Sequence, residues 1–122
     1  MEFVLSMSTH RIYDMTFKSI YNAYVNKVTR KDRSIDELDE ILRWMGSYTE
    51  EDFQNVLNNE EMTMREFFEN NDHLNPSRLE VTGTICGVKI AELEDPLMKD
   101  IRIMDKIVDE LARGKAIEKI KR

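Results

Sequence analysis

Residues 95–114 read Asp95–Pro96–Leu97–Met98–Lys99–Asp100–Ile101–Arg102–Ile103–Met104–Asp105–Lys106–Ile107–Val108–Asp109–Glu110–Leu111–Ala112–Arg113–Gly114. Leu97, Ile101, Met104, Val108 and Leu111 recur at the three- and four-residue spacing that lines one face of a helix, and Ile107 widens the stripe. Asp95 can cap the first turn, Pro96 fits the first helical position where no N–H is needed, and Gly114 can end the helix. Arg102 and Lys106 alternate with Asp105, Asp109 and Glu110, which predicts exposed ion pairs three and four residues apart. An apolar stripe this long must be covered by the rest of the chain, so the fold is read outward from it.

Downstream, Ala116, Ile117 and Ile120 mark a short tail helix. Upstream, Phe17, Ile20, Tyr21, Tyr24, Val25 and Val28 repeat the helical spacing, with Thr16 as N-cap and the basic run 27–33 at the helix end, where cations favour the dipole. Ser34 and Glu37 form a capping box ahead of Ile35, Leu38, Ile41, Leu42 and Met45, and Gly46 falls where a left-handed cap is expected. Trp44 lies beside that stripe, flanking the core or facing a partner. Thr49 opens a short helix with Phe53, Val56 and Leu57 on one side, which Asn58–Asn59 ends. Thr63 and Glu66 repeat the capping-box spacing before Phe67 and Phe68. Asn75–Pro76 starts a further short helix. Residues 81–88, Val–Thr–Gly–Thr–Ile–Cys–Gly–Val, read as a glycine-bounded loop, with a small hairpin as the alternative. The sum is all-α: a compact orthogonal bundle of about five or six helices, with an irregular or β-like segment around 80–90. Residues 8–122 are expected to form one helical domain, and residues 1–7 an extended or disordered N-terminal extension, with Met7 as an alternative start.

The 122 residues carry 24 acidic and 18 basic side chains, a formal charge of −6. Apolar residues make up 41%, enough for one core, and charged residues 34%, too mixed in sign for a fully disordered chain. No stretch approaches the roughly 20 apolar residues of a membrane span. Cys86 stands alone, and no Cys/His pattern matches a zinc site, so no metal and no cofactor is expected. A free thiol without a secretion signal points to a reducing cytoplasm. The acidic balance argues against nucleic acid, whose only support is the basic run 27–33 and the tail.

The charge is segregated. Residues 35–72 hold twelve acidic side chains against Arg43 and Arg65, whereas Arg113, Lys115, Lys119, Lys121 and Arg122 face only Glu118 at the C-terminus. Solvated helix faces account for both. The functional reading is that the basic tail touches another protein, or the acidic segment of a second copy.

Phosphate-loop, dinucleotide, zinc-protease and nucleophile-elbow motifs are all missing, which removes the positive case for an enzyme without deciding against one. Asn75, Arg78 and Thr82 can gather at one helix start, where backbone N–H groups favour an anion, and Arg11 could complete a bidentate site. The competing reading makes these arginines structural ties. Cys86 is either a core thiol or a reactive one, His10 and His73 are its only histidine partners on offer, and surface or structural histidine is the simpler reading for both.

The runs His10–Arg11–Ile12–Tyr13, Leu74–Asn75–Pro76 with Arg78, Thr82–Gly83 with Ile85–Cys86–Gly87, Glu94–Asp95–Pro96–Leu97–Met98, and Asp109–Glu110–Leu111–Ala112 with Gly114–Lys115 form an ordered set. In combination they resemble domain-of-unknown-function family 2200, a family of small bacterial proteins. The resemblance runs from about Ser8 to the C-terminus. It implies a compact, mostly helical fold in a bacterial cytoplasm and brings no catalytic residue, cofactor or substrate. It does direct attention to His10, Arg11, Asn75, Arg78, Thr82 and Cys86 as a set that could meet in space to bind a ligand. The leading expectation is a protein-interaction module; the alternative is a small-molecule or anion site, catalytic or not, around Arg11, Asn75, Arg78 and Cys86.

Overall fold

The computed structural model describes residues 11–122. His10 and the proposed extension over residues 1–7 lie outside the described residues. A helical turn over 11–14 leads into α1 (Phe17–Thr29), followed by α2 (Ile35–Gly46), α3 (Glu50–Asn58) and α4 (Met64–Glu69). A 3-10 helix (Pro76–Glu80), strands β1 (Thr84–Ile85) and β2 (Val88–Lys89) and a second 3-10 turn (Ile90–Glu92) connect to α5 (Pro96–Ala112) and the tail helix α6 (Ile117–Ile120). The fold is mainly helical, with one two-stranded antiparallel sheet among the described residues.

Local chemistry starts each helix. The Thr16 hydroxyl accepts from the Ser19 N–H, and Thr49 from Asp52. Ser34 with Glu37, and Thr63 with Glu66, close reciprocal capping boxes. Asn75 and Asp95 accept from Ser77 and Leu97, each ahead of a proline at the helix start. Thr16 and Thr63 also face each other in an isolated β-bridge, with Phe17 N–H on the Met62 carbonyl and Met64 N–H on the Met15 carbonyl, both at 2.8 Å. The starts of α1 and α4 are thereby tied together.

Helix α5 is the hub, packed against α1, α2, α4, α6, β1 and the second 3-10 turn. Ile101, Ile103, Met104, Ile107, Val108 and Leu111 are all fully buried. Neighbours on several sides take in more than the one predicted face: Asp100, Arg102 and Glu110 are each only 7% exposed. The expectation of an exposed charged face on this helix is therefore corrected at Arg102, buried against its partner Asp105, and at Glu110, buried against Arg122.

A second centre is aromatic. Phe17 stacks on Phe67 at 4.0 Å between ring centroids, and Phe53 and Phe68 meet these rings edge-on. Two local readings change around this cluster. Ser47, not Gly46, takes the left-handed cap conformation, at φ 56°. Gly46 is the last residue of α2, where a Cβ would stand 2.3 Å from the Tyr48 ring. Close approach of that ring, not a left-handed backbone, is what requires glycine there. Ile35, placed in the apolar stripe of α2, is instead 44% exposed at its first turn.

Residues 76–90 resolve the ambiguity of the sequence. The predicted helix is a short 3-10 segment, and the glycine-bounded loop is the hairpin alternative. Its two-residue turn, Cys86–Gly87, has φ of 54° and 76°, the paired positive values of a tight hairpin turn. Ile85 and Ile90 point into the core, and the Lys106 ammonium donates to the Thr84 carbonyl at 3.1 Å, pinning the hairpin to α5.

Candidate functional site

The structure brings Asn75 and Arg78 together but occupies both. The Arg78 guanidinium donates from Nε to Asp100 Oδ1 at 2.8 Å and from Nη2 to Asp100 Oδ2 at 3.4 Å, while Nη1 reaches the Asn75 carbonyl at 3.0 Å. Asn75 donates from Nδ2 to the Trp44 carbonyl at 3.2 Å. An anion placed here would compete with a carboxylate already held by the arginine fork. Trp44 itself is half-buried and packs on the core from α2.

The other predicted residues lie elsewhere or at the surface. Arg11 is exposed on the first described turn, Thr82 is exposed ahead of β1, and Cys86 is exposed at the hairpin turn. Cys86 lies within electrostatic range of the Tyr24 hydroxyl. His73 lines a separate cleft of about 350 Å³, with Tyr48, Phe67, Asn70 and Asp52 among its walls.

Sequence reasoning missed a seam of polar groups along α5. The Tyr24 hydroxyl donates to Asp105, which also holds the Arg102 guanidinium at 3.1 Å. Burial pushes the Asp105 carboxyl above its usual range and does the same to the Tyr24 phenol. Tyr13 donates to Asp95, and burial together with that hydrogen bond pushes its phenol up to about 12. The same bond holds Asp95 low. Further along, Asp109 pairs with Lys27 at 3.0 Å and Arg113 at 2.8 Å. Glu110 pairs with Arg122 at 2.7 Å and Lys115 at 3.2 Å. Burial pushes Glu110 up, but its hydrogen bonds and the adjacent cations bring it below the usual range. Tyr24 and Asp105 are far apart in the chain, so no local spacing signals their contact.

The acidic segment behaves differently. Among the described residues, ion pairs reach Glu37, Glu40, Glu50 and Glu69 of its twelve acids. A cleft of about 440 Å³ opens between α2 and α3, lined by Asp36, Asp39, Glu40 and Glu50 against Arg43, with Phe53 at its wall. Tyr21 donates to Asp39 at 2.6 Å, and burial nevertheless raises the Asp39 carboxyl. At the rim, Lys121 of the tail contacts Glu40 at 2.6 Å. The segregated charges of the sequence thus meet inside one chain, at one point.

Among the described residues, no cluster of three or more His, Cys, Asp or Glu is arranged to hold a metal ion, and no helix is long and apolar enough to cross a membrane.

No curated protein matches the chain. The crystal structure of uncharacterized protein SP1917 is similar to it, with a TM-score of 0.85 and 36% identity over 92% of this chain and 91% of that one. A family described as an uncharacterized protein conserved in bacteria (DUF2200) matches residues 11–122. That match spans the helical hub, the hairpin and the tail alike, and the chain belongs to this family.

Proposed function

We propose that the protein acts as a protein-binding module that receives a basic segment of another protein on its acidic sector. The observation that carries this reading is the open cleft between α2 and α3, where Asp36, Asp39, Glu40 and Glu50 are set against Arg43 alone. The intrachain Lys121–Glu40 contact at its rim supports this reading. Asp36 and Glu50 are the cleft's exposed carboxylates, and such groups attract a basic partner over a distance of about 8 Å at physiological salt and repel nucleic acid. The anion-site alternative draws less support, because Arg78 spends its guanidinium on Asp100 and Asn75.

The test is fluorescence anisotropy with a labelled Lys/Arg-rich peptide and a matched peptide carrying Glu in place of each cation. Binding of the basic peptide should weaken with added salt and fall at least tenfold when Asp36→Asn and Glu50→Gln are combined. Equal binding of the two peptides, or no binding of either, overturns the proposal.

A further inference from the structure

The tail is held more firmly than its length suggests. Ile120 is fully buried, and Ile117 packs half-buried against the core. Lys121 reaches Glu40 at 2.6 Å, and Arg122 grips both oxygens of Glu110 at 2.7 and 2.9 Å. Lys115 adds a contact to Glu110 at 3.2 Å. With its tail lifted away, Glu110, 7% exposed with the tail in place, would lose its cations, and the apolar seat of Ile120 would face water. Apolar surface opened to water is unfavourable, so the seat favours being refilled. Whatever replaces the tail must therefore supply an aliphatic residue followed directly by two cations.

We infer that two copies of the chain exchange residues 115–122, each tail filling the other's seat through Ile120, Lys121 and Arg122. A second copy offers the required groups in the required order. The hinge is also in place. Gly114 has φ 98°, and no atom lies within 4 Å of where its Cβ would be, so nothing packs against the turn. Arg113 and Gly114 are exposed. Arg33 donates from Nη1 to the Leu111 carbonyl at 2.9 Å and the Lys115 carbonyl at 3.1 Å, one on each side of the hinge. Both acceptors remain in place when Lys115 comes from the other copy. The seat contacts are the same in the folded-back and exchanged forms, so hinge conformation and protein concentration set the balance. None of this depends on the acidic cleft taking a basic partner.

The test uses the full chain. Cys86 is the sole cysteine and is exposed, so separate pools can be labelled there with donor and acceptor dyes. Energy transfer on mixing, with mass from light scattering, should report a dimer that grows with concentration. Deleting Gly114 shortens the hinge, and Gly114→Pro keeps its length while forbidding the positive φ. Each should lower the concentration of half-dimerisation at least tenfold. Ile120→Asp should abolish the dimer, with circular dichroism confirming that the helices persist. Wild-type and hinge variants that all stay monomeric at millimolar concentration overturn the inference, as does a dimer that survives Ile120→Asp.

Discussion

The seam along α5 and the acidic sector of α2–α4 use the same residue types to opposite ends. In the seam, Asp100, Asp105, Asp109 and Glu110 each meet a named cation, and Asp105 also takes the Tyr24 hydroxyl. In the sector, Glu60, Glu61 and Asp72 stand exposed at turns. The contrast teaches that burial, not charge count, decides what a carboxylate is for. Where water is excluded, pairing is compulsory because an unpaired charge there is costly. Where water remains, a carboxylate adds little to folding and stays free to meet a partner.

The sharpest way to break this contrast is Asp105→Ala. It leaves Arg102, with its side chain 8% exposed, and the Tyr24 hydroxyl without their acceptor. The expected loss is about 3–5 kcal/mol in urea unfolding. A loss comparable to that of a surface substitution would place the seam and the sector in one class.

Glu37 sits between the two cases and gives an intermediate effect that depends on pH. The Arg33 guanidinium, then the Ser34 backbone N–H, hold its carboxyl down to about 2. Its folded value lies below the ordinary unfolded value of about 4.3, so its stabilisation is complete above that value. It is lost as pH falls toward about 2. Urea midpoints on either side of that window should fall for the wild type and fall less for Glu37→Gln. Equal slopes would show that the Arg33 pair adds nothing to the fold.

The smallest effect is expected in the sector itself. Glu60→Gln with Glu61→Gln should change unfolding free energy by less than about 0.5 kcal/mol. A larger loss would mean that the exposed acids are structural after all.

The local rules of the fold were legible in the sequence. Thr16, Ser34, Thr49, Thr63, Asn75 and Asp95 cap where their spacing predicts, because a cap involves residues only two or three positions apart. The left-handed residue at Ser47 was not legible, since the reason for Gly46 is the later fold of Tyr48 across it. Arg102 was misread as exposed because periodicity registers one apolar face, whereas α5 is covered from several directions. The candidate set was legible only in part. Asn75 and Arg78 are neighbours joined directly, but the carboxylate that occupies the Arg78 fork is Asp100, from another element. Cys86 stands exposed at the turn of a hairpin, apart from the Asn75–Arg78 unit.

The bridge between Thr16 and Thr63 has a kinetic consequence. Two helices widely separated along the chain share one point of nucleation, so the first turn of α1 gains its backbone tie only when the loop holding α2 and α3 has closed. Closing that loop is an entropic toll levied before either start is secured. A change that removes the Met64 N–H should therefore register as slower refolding of α1 as well as of α4, and the two helices should appear together when amide protection is followed in time.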